Sequence, residues 1–165
     1  MEYIPTPWRE DYVKNVFKMR DCIFCQAQKI ENDREAYILY RGLHNFVILN
    51  KYPYTPGHLM IAPYEHIDSP EKADKPSTDE LFDLMKMCIK VLRKAYNPQG
   101  FNAGMNIGQS AGAGVADHYH QHLIPRWVGD SNFMPLIGRT KVFIEDLIKT
   151  YDQLATLFPR KKTET

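Results

Sequence analysis

The 165 residues, 44% of them hydrophobic, are enough for one domain with a buried core and too few for two. The 21 lysines and arginines balance 20 acidic residues, which argues against a nucleic-acid surface, and no apolar run approaches the ~20 residues of a membrane span. The amino terminus lacks the apolar core of a signal peptide, so we expect a cytoplasmic protein.

The chain begins with an irregular segment and three strands. Proline, tryptophan and acidic residues are mixed through positions 1–21, which predicts irregular structure. Two β-branched and aromatic runs at 36–41 and 44–50 predict a hairpin, and turn residues at 51–57 lead to a third strand at 58–63.

The clearest helical pattern lies in the middle of the chain. Apolar residues recur at helical spacing from Leu81 to Tyr96 and predict a helix over 78–96. Ser77 and Glu80 have the spacing of a capping box, which places the start of this helix just before its first apolar residue.

The remaining elements complete an α+β fold. A strand of small residues is predicted at 101–107, then a Gly/Ala/Ser loop at 108–116 that leads into a strand of histidines. Apolar spacing predicts a second helix at 140–157, within a carboxy-terminal helix and tail at 140–165. The sum is an antiparallel β-sheet with about two α-helices.

Three histidines alternate along the last predicted strand, at His118, His120 and His122. Alternate side chains of a strand share one face and stand ~6.5 Å apart. They could be solvated residues of a sheet face or ligands of one metal, although collinear side chains converge poorly on a single ion. A nucleophilic histidine with two supporting neighbours is favoured, because much of an imidazole is unprotonated at neutral pH.

The glycine-rich loop before the histidines could approach a phosphate group. Gly112 and Gly114 remove side-chain obstruction from residues 108–117, so backbone N–H groups could contact phosphate oxygens. The loop is not a P-loop, because no Gly-Lys-Ser/Thr follows, and it could equally be a flexible turn between strands.

Two of the three cysteines form a C-x-x-C pair, Cys22 and Cys25. This spacing suits half of a tetrahedral metal site or a redox-active pair, but the redox version usually opens a helix in a βαβ context that the predicted elements lack. Cys88 lies in helical register with apolar residues, so we expect it to be buried without a chemical role.

Three motifs in order resemble the HIT, or histidine triad, superfamily of nucleotide hydrolases and transferases. The histidine segment HYHQHLI resembles the HxHxH motif, LNKYPYTPGHLMIAPYEH at 49–66 resembles the earlier strand-loop-strand signature, and CIFC resembles a zinc half-site. The flanks TPWREDY and PRWVGDSNFMP are similar to bacterial dinucleoside-polyphosphate phosphorylases and hydrolases. The resemblance implies a HIT-like fold, with residues 1–165 as a single domain.

The resemblance also implies roles for individual residues. His120 would attack the α-phosphorus and carry the nucleotidyl group, His122 would contact phosphoryl or bridging oxygens, and His58 would support them. Asn50 would bind the ribose, and Asn106 would contact the phosphate region.

Several of these positions have simpler interpretations. Asn50 could be a turn residue and Asn106 could satisfy a strand edge, while Ile48 and Met60, on the face that would bind the base, are treated as core residues.

The loop departs from the best-known branches of the family. They carry Gln, Ser or Thr four or five residues before the triad, where this chain has Ala113 and Gly114. The backbone amides of these two residues would therefore have to bind the substrate.

The resemblance completes the zinc site with two histidines. His66 and His118 would join Cys22 and Cys25, giving a closed Cys₂His₂ set that is structural rather than catalytic.

The expected function is cleavage of a dinucleoside polyphosphate, such as diadenosine tetraphosphate, through a nucleotidyl-histidine intermediate. Water as acceptor would make the protein a hydrolase and phosphate would make it a phosphorylase, which the flanking motifs favour. The alternatives are a nucleoside phosphoramidate hydrolase and a non-catalytic nucleotide-binding regulatory module. The resemblance further implies a homodimer formed through the helix and an edge strand.

Overall fold

The computed structural model describes residues 21–130 and 146–159. The predictions for 1–20, for the start of the last helix at 140–145 and for the tail at 160–165 lie outside the described residues.

Five antiparallel strands form one sheet, which confirms the predicted sheet and hairpin. The order across the sheet is β1-β2-β3-β5-β4, so β5, which carries His122, lies between β3 and β4. The strands are β1 (Ile38–Arg41), β2 (Asn45–Leu49), β3 (Leu59–Pro63), β4 (Gly100–Met105) and β5 (Gln121–Arg126).

The part of the chain that the structure describes contains more helices than expected. They are α1 (Ile23–Lys29), α2 (Asp33–Ala36), α3 (Lys75–Tyr96) and α4 (Leu147–Ala155), with single 3-10 turns at Pro70–Lys72 and Gln109–Ala111. Helices α1 and α2 span two turns or fewer, which is too short for a recognisable apolar period. Within the described ranges, no helix combines the length and apolar character needed to cross a membrane.

The predicted capping box of α3 is wrong. The helix begins three residues earlier than predicted, and the carboxylate of Asp74 caps it by accepting the Ser77 backbone N–H at 2.8 Å. Proline suits the first turn of a helix, where its missing N–H needs no partner, so Pro76 fits this earlier start.

Glu80 acts on the β1–β2 turn instead of on its own helix. Its carboxylate accepts the backbone N–H groups of Leu43, His44 and Asn45 at 2.6 to 2.8 Å. Burial opposes ionisation, but these donors hold the pKa of Glu80 below its ordinary value. The side chain therefore ties α3 to the start of β2.

Strands β2 and β3 are buried on both faces of the sheet, which explains why they are continuous apolar runs. One face packs against α3 and α4 through residues such as Val47, Leu59 and Leu123. The other face packs against α1 and α2 through Phe46 and Ile48 among others. The second face carries the candidate site. Cys88 is fully buried in the first core, as predicted.

Candidate active site

The triad histidines lie where the chain enters β5. Only His122 is inside the strand, opposite Met60 of β3 and Gly104 of β4, so the predicted continuous strand of histidines is wrong for His118 and His120. Side chains still alternate across the sheet: Tyr119 and Leu123 pack into the α3 core, while the imidazoles lie on the α1 side.

His120 is held in the form that a nucleophile requires. Its Nδ1 lies 3.0 Å from the carbonyl oxygen of His118. Because a carbonyl can only accept, Nδ1 carries the hydrogen and the neutral ring has its lone pair on Nε2. Burial lowers the pKa of His120, which favours this neutral form at pH 7.

His122 is held in the opposite form by a chain of hydrogen bonds. The backbone N–H of Tyr54 donates to His58 Nδ1 at 3.1 Å, so His58 carries its hydrogen on Nε2. That nitrogen lies 3.0 Å from His122 Nδ1 and donates to it, which places the His122 hydrogen on Nε2. The Tyr54 ring stacks on His58 at 5.0 Å and helps to fix its orientation.

The imidazoles of His120 and His122 therefore offer complementary groups. The ring centroids of His120 and His122 are 4.8 Å apart. One presents a nitrogen lone pair and the other an N–H donor, which suits attack on phosphorus beside a phosphoryl oxygen.

His118 faces a different cluster, formed with His66, Cys22 and Cys25. Its Nε2 lies 2.9 Å from the Pro63 carbonyl and must carry the hydrogen, so Nδ1 is left with a lone pair. This Nδ1 is 3.3 Å from Cys22 Sγ and 3.7 Å from Cys25 Sγ, and His66 Nδ1 is 3.3 Å from Cys25 Sγ. Burial lowers the pKa of His118 to about 4, which keeps it neutral.

The cluster fits a tetrahedral metal ion. The four candidate ligand atoms lie within 4.8 Å of one another, and the sulfur–nitrogen separations match the roughly 3.3 to 3.8 Å expected between ligands of one zinc ion. Burial raises the pKa of the Cys22 thiol, so binding of a metal must displace a proton there.

The C-x-x-C pair begins a helix that the sequence pattern did not indicate. Cys22 is the N-cap residue of α1. The βαβ context is still absent from the described sheet, whose strand pairs are all antiparallel. The two nearby histidines and the absence of this βαβ context distinguish the pair from a redox motif.

A cavity of about 430 Å³ opens beside His120 and His122. Ile48, Met60 and His122 are side by side across β2, β3 and β5, and all three line the cavity. Ile48 and Met60 are therefore core residues, as treated above, and cavity-lining residues as well. Residues of α1 form another wall, and the C-x-x-C pair was the only nearby signal in the sequence. Two of these residues lie between the cysteines and two follow Cys25: Ile23, Phe24, Gln26 and Ala27.

Asn50 and Asn106 both line this cavity. Asn50 Nδ2 is 3.4 Å from both ring nitrogens of His58, and its Oδ1 accepts the Tyr52 backbone N–H at 2.9 Å. Asn50 is thus a turn residue and a cavity residue at once.

The two loop residues predicted to bind substrate differ in position. Gly114 lines the cavity. Ala113 is buried, and its N–H donates to the Gly108 carbonyl at 3.4 Å. Its amide is therefore engaged within the loop, and Gly114 is the better placed of the two.

A five-stranded antiparallel sheet with an H-x-H-x-H segment beside an apolar cavity defines the class of HIT-fold proteins. The family model for the HIT domain matches residues 31–128. The chain belongs to the HIT family.

Individual relatives agree with this assignment. The chain is 40% identical to the AP-4-A phosphorylase of Mycobacterium tuberculosis over 94% of this chain and 84% of that protein. A solved hypothetical histidine triad nucleotide-binding protein from Sulfolobus tokodaii superposes with a TM-score of 0.63 at 30% identity, covering 82% of this chain and 88% of that one. A zinc-bound histidine triad family protein from Mycobacterium smegmatis shares the fold at 19% identity, with a TM-score of 0.65 over 83% and 92% of the two chains.

Proposed function

We propose that this protein cleaves dinucleoside polyphosphates, diadenosine tetraphosphate among them, at the α-phosphorus through a nucleotidyl-His120 intermediate. The observation that carries the proposal is the complementary hydrogen placement on His120 and His122 at the cavity. Similarity to a protein named AP-4-A phosphorylase supports this substrate class.

In the first half-reaction, His120 Nε2 attacks the α-phosphorus and the bond to the bridging oxygen breaks. The imidazole gains positive charge, which the His118 carbonyl stabilises through the Nδ1 hydrogen. The Nε2 hydrogen of His122 is available to a phosphoryl or bridging oxygen, where negative charge develops. His58 keeps this donor in place through its bond to His122 Nδ1.

The rest of the cavity would hold the nucleotide. Its apolar wall, including Phe24, Ile48 and Met60, suits a nucleobase. Asn50 would bind the ribose, and Asn106 and the Gly114 amide would contact phosphate oxygens.

In the second half-reaction an acceptor takes the nucleotidyl group from His120. We favour inorganic phosphate, which would release a nucleoside diphosphate, because the Mycobacterium tuberculosis relative bears the name of a phosphorylase. Water would release a nucleoside monophosphate instead.

Product analysis tests the proposal directly. Purified protein is incubated with diadenosine tetraphosphate, with and without phosphate, and with adenosine phosphoramidate in parallel. Phosphate-dependent ADP together with ATP is expected. AMP in the presence of phosphate would identify a hydrolase, and turnover of the phosphoramidate alone would refute the polyphosphate substrate. Binding without any turnover would leave a nucleotide-binding module.

We also propose that Cys22, Cys25, His66 and His118 hold a structural zinc ion. The cluster offers four protein ligands and hence no open position for a catalytic water. Its role would be to fix the amino-terminal end of α1 against the start of the histidine segment. Binding of zinc requires that Cys22 and Cys25 stay reduced, which the cytoplasm favours. We therefore propose that the protein is cytoplasmic.

A homodimer is the proposed assembly, with residues 1–165 forming one domain in each copy. Among the described strands, β4 is the last of the sheet and its middle residues are exposed, so its outer edge could accept a second copy. Phe82, on the outer side of α3, is 62% exposed. Light scattering behind size exclusion should give twice the 19.2 kDa chain mass.

A further inference from the structure

Helix α1 lies between the metal cluster and the nucleotide cavity. Cys22 and Cys25 contribute to the cluster on one side. Ile23, Phe24 and Ala27 line the cavity on the other. A single short segment therefore contacts both sites.

Phe24 contacts both sites, in addition to the hydrogen bond from His120 Nδ1 to the His118 carbonyl. Its side chain is 1% exposed, and its ring centroid lies 5.1 Å from that of His118 and 4.7 Å from that of His120. The ring thus packs against a candidate metal ligand and the candidate nucleophile, while both flanking cysteines face the cluster.

The position of α1 depends on its surroundings. Helix α1 has seven residues, no side-chain cap and no acidic residue in its first turn. Such a short helix is not stable by itself in water, so its place is set by packing and by the two cysteines. Loss of the metal would free the amino-terminal end of the helix and with it the Phe24 ring.

We propose that Phe24 is a positioning residue that couples metal binding to nucleotide binding. Zinc bound at the cluster would fix the position of α1. In that position Phe24 packs against His120, and residues of α1 form one wall of the cavity. By linkage, a nucleotide in the cavity must then raise the affinity for zinc by the same factor that zinc raises the affinity for the nucleotide. The inference rests on the proposed function, because it needs a nucleotide in this cavity.

Reciprocity gives two independent measurements. In the first, calorimetry compares AMP affinity for zinc-loaded and zinc-free protein at a temperature where circular dichroism shows both to be folded. In the second, a chromophoric chelator competes with the protein for zinc, which gives the zinc affinity with and without saturating AMP. Mixtures without protein correct for zinc bound by AMP itself. The second measurement starts from folded protein even where the zinc-free form unfolds.

We expect both measurements to give the same coupling factor, roughly 5- to 150-fold. An AMP affinity that is independent of zinc, with unchanged competition, would overturn the coupling and leave the proposed function intact. Failure of AMP to bind the zinc-loaded protein would count against the proposed function as well.

A pair of variants tests Phe24 itself. Phe24→Leu should keep stoichiometric zinc but bring the coupling factor close to one, and kcat should fall more than KM rises because His120 loses its packing. Phe46→Leu is the matched control: its ring is 6.5 Å from that of Phe24, it is equally buried, and it does not line the cavity. That variant should retain the coupling factor even if its melting temperature falls. Full coupling in Phe24→Leu would refute the role of Phe24.

Discussion

His118 and His120 are two residues apart in one segment, yet they serve two different clusters. In each case a backbone carbonyl accepts from one ring nitrogen and leaves the lone pair on the other. The Pro63 carbonyl holds the Nε2 hydrogen of His118, so Nδ1 faces the cysteines. The His118 carbonyl holds the Nδ1 hydrogen of His120, so the lone pair is on Nε2, the proposed nucleophilic atom.

This comparison shows that the chemical role of an imidazole can be set by a main-chain acceptor. The sequence motif supplies identical side chains, and local backbone geometry decides which nitrogen is available. The proposed metal cluster and the proposed catalytic pair should therefore respond differently to substitution: changes at His120 and His122 should affect turnover, and changes at the cysteines should affect stability.

The largest effect is expected for His120→Ala. Removal of the nucleophile should lower kcat by several orders of magnitude, on the order of 10⁴-fold or more, while zinc content and AMP affinity stay within about threefold. Initial rates with diadenosine tetraphosphate measure this. His44→Ala is the matched control, because His44 belongs to neither cluster, and it should retain normal turnover. Near-normal turnover of His120→Ala would refute the nucleophilic mechanism.

A smaller loss is expected for His122→Ala. Only a hydrogen-bond donor to developing charge is removed, so kcat should fall by roughly 10²- to 10³-fold. Trapping of labelled nucleotidyl-enzyme in samples quenched with detergent at alkaline pH, where the P–N bond is stable, should show a slower formation of the intermediate. If His122→Ala were as inactive as His120→Ala, the assignment of different roles to the two imidazoles would be wrong.

Substitution in the metal cluster, as in Cys22→Ser, should lower stability more than it lowers nucleotidyl transfer. This variant should lose most of its zinc, from about one ion per chain, and its melting temperature should fall by roughly 5 to 15 °C. Some nucleotidyl transfer to His120 should persist at low temperature. Metal analysis and thermal melts measure both properties, with Cys88→Ala as the control that loses packing but keeps zinc. Unchanged metal content and an unchanged melting curve would remove His66 and His118 from a metal site.

Much of the site could be predicted because its residues lie in short motifs. The H-x-H-x-H segment, the C-x-x-C pair and the strand that carries His58 each depend on local spacing, and the structure brings them together. The choice of nitrogen on each ring could not be predicted. It depends on the Pro63 carbonyl, which belongs to another strand, and on the turn of the chain at His118.

Helix boundaries show a similar limit. Both Asp74 and Ser77 are good N-cap residues, and local preference alone does not separate them. The difference comes from Glu80, whose carboxylate is occupied by the β1–β2 turn and cannot complete a capping box. The walls of the cavity were missed for another reason: an apolar residue such as Met60 has the same pattern whether it faces a core or a ligand.

The smallest effect on stability is expected for substitution of Glu80, whose carboxylate contacts the β1–β2 turn and neither histidine cluster. Glu80→Gln weakens the hydrogen bonds to the β1–β2 turn, and we expect a loss of about 1 kcal/mol, or roughly 2 to 4 °C in melting temperature, with zinc content and kcat unchanged. Asp79→Asn is the matched control, because its ion pair with Lys75 is on the exposed surface and should contribute little.

The pH dependence of this loss follows from the direction of the Glu80 shift. Burial is the largest influence and raises the pKa, but the backbone donors outweigh it and the pKa of the folded state lies below its usual 4.5. The unfolded chain therefore binds a proton more readily, so the stabilisation by Glu80 is fully present above pH 4.5 and is lost as the pH falls through the lower folded value. Chemical denaturation of the wild type and Glu80→Gln between pH 3 and pH 7 should show a stability difference that narrows toward acid. A difference that widens toward acid would show that the turn is not held by the ionised carboxylate.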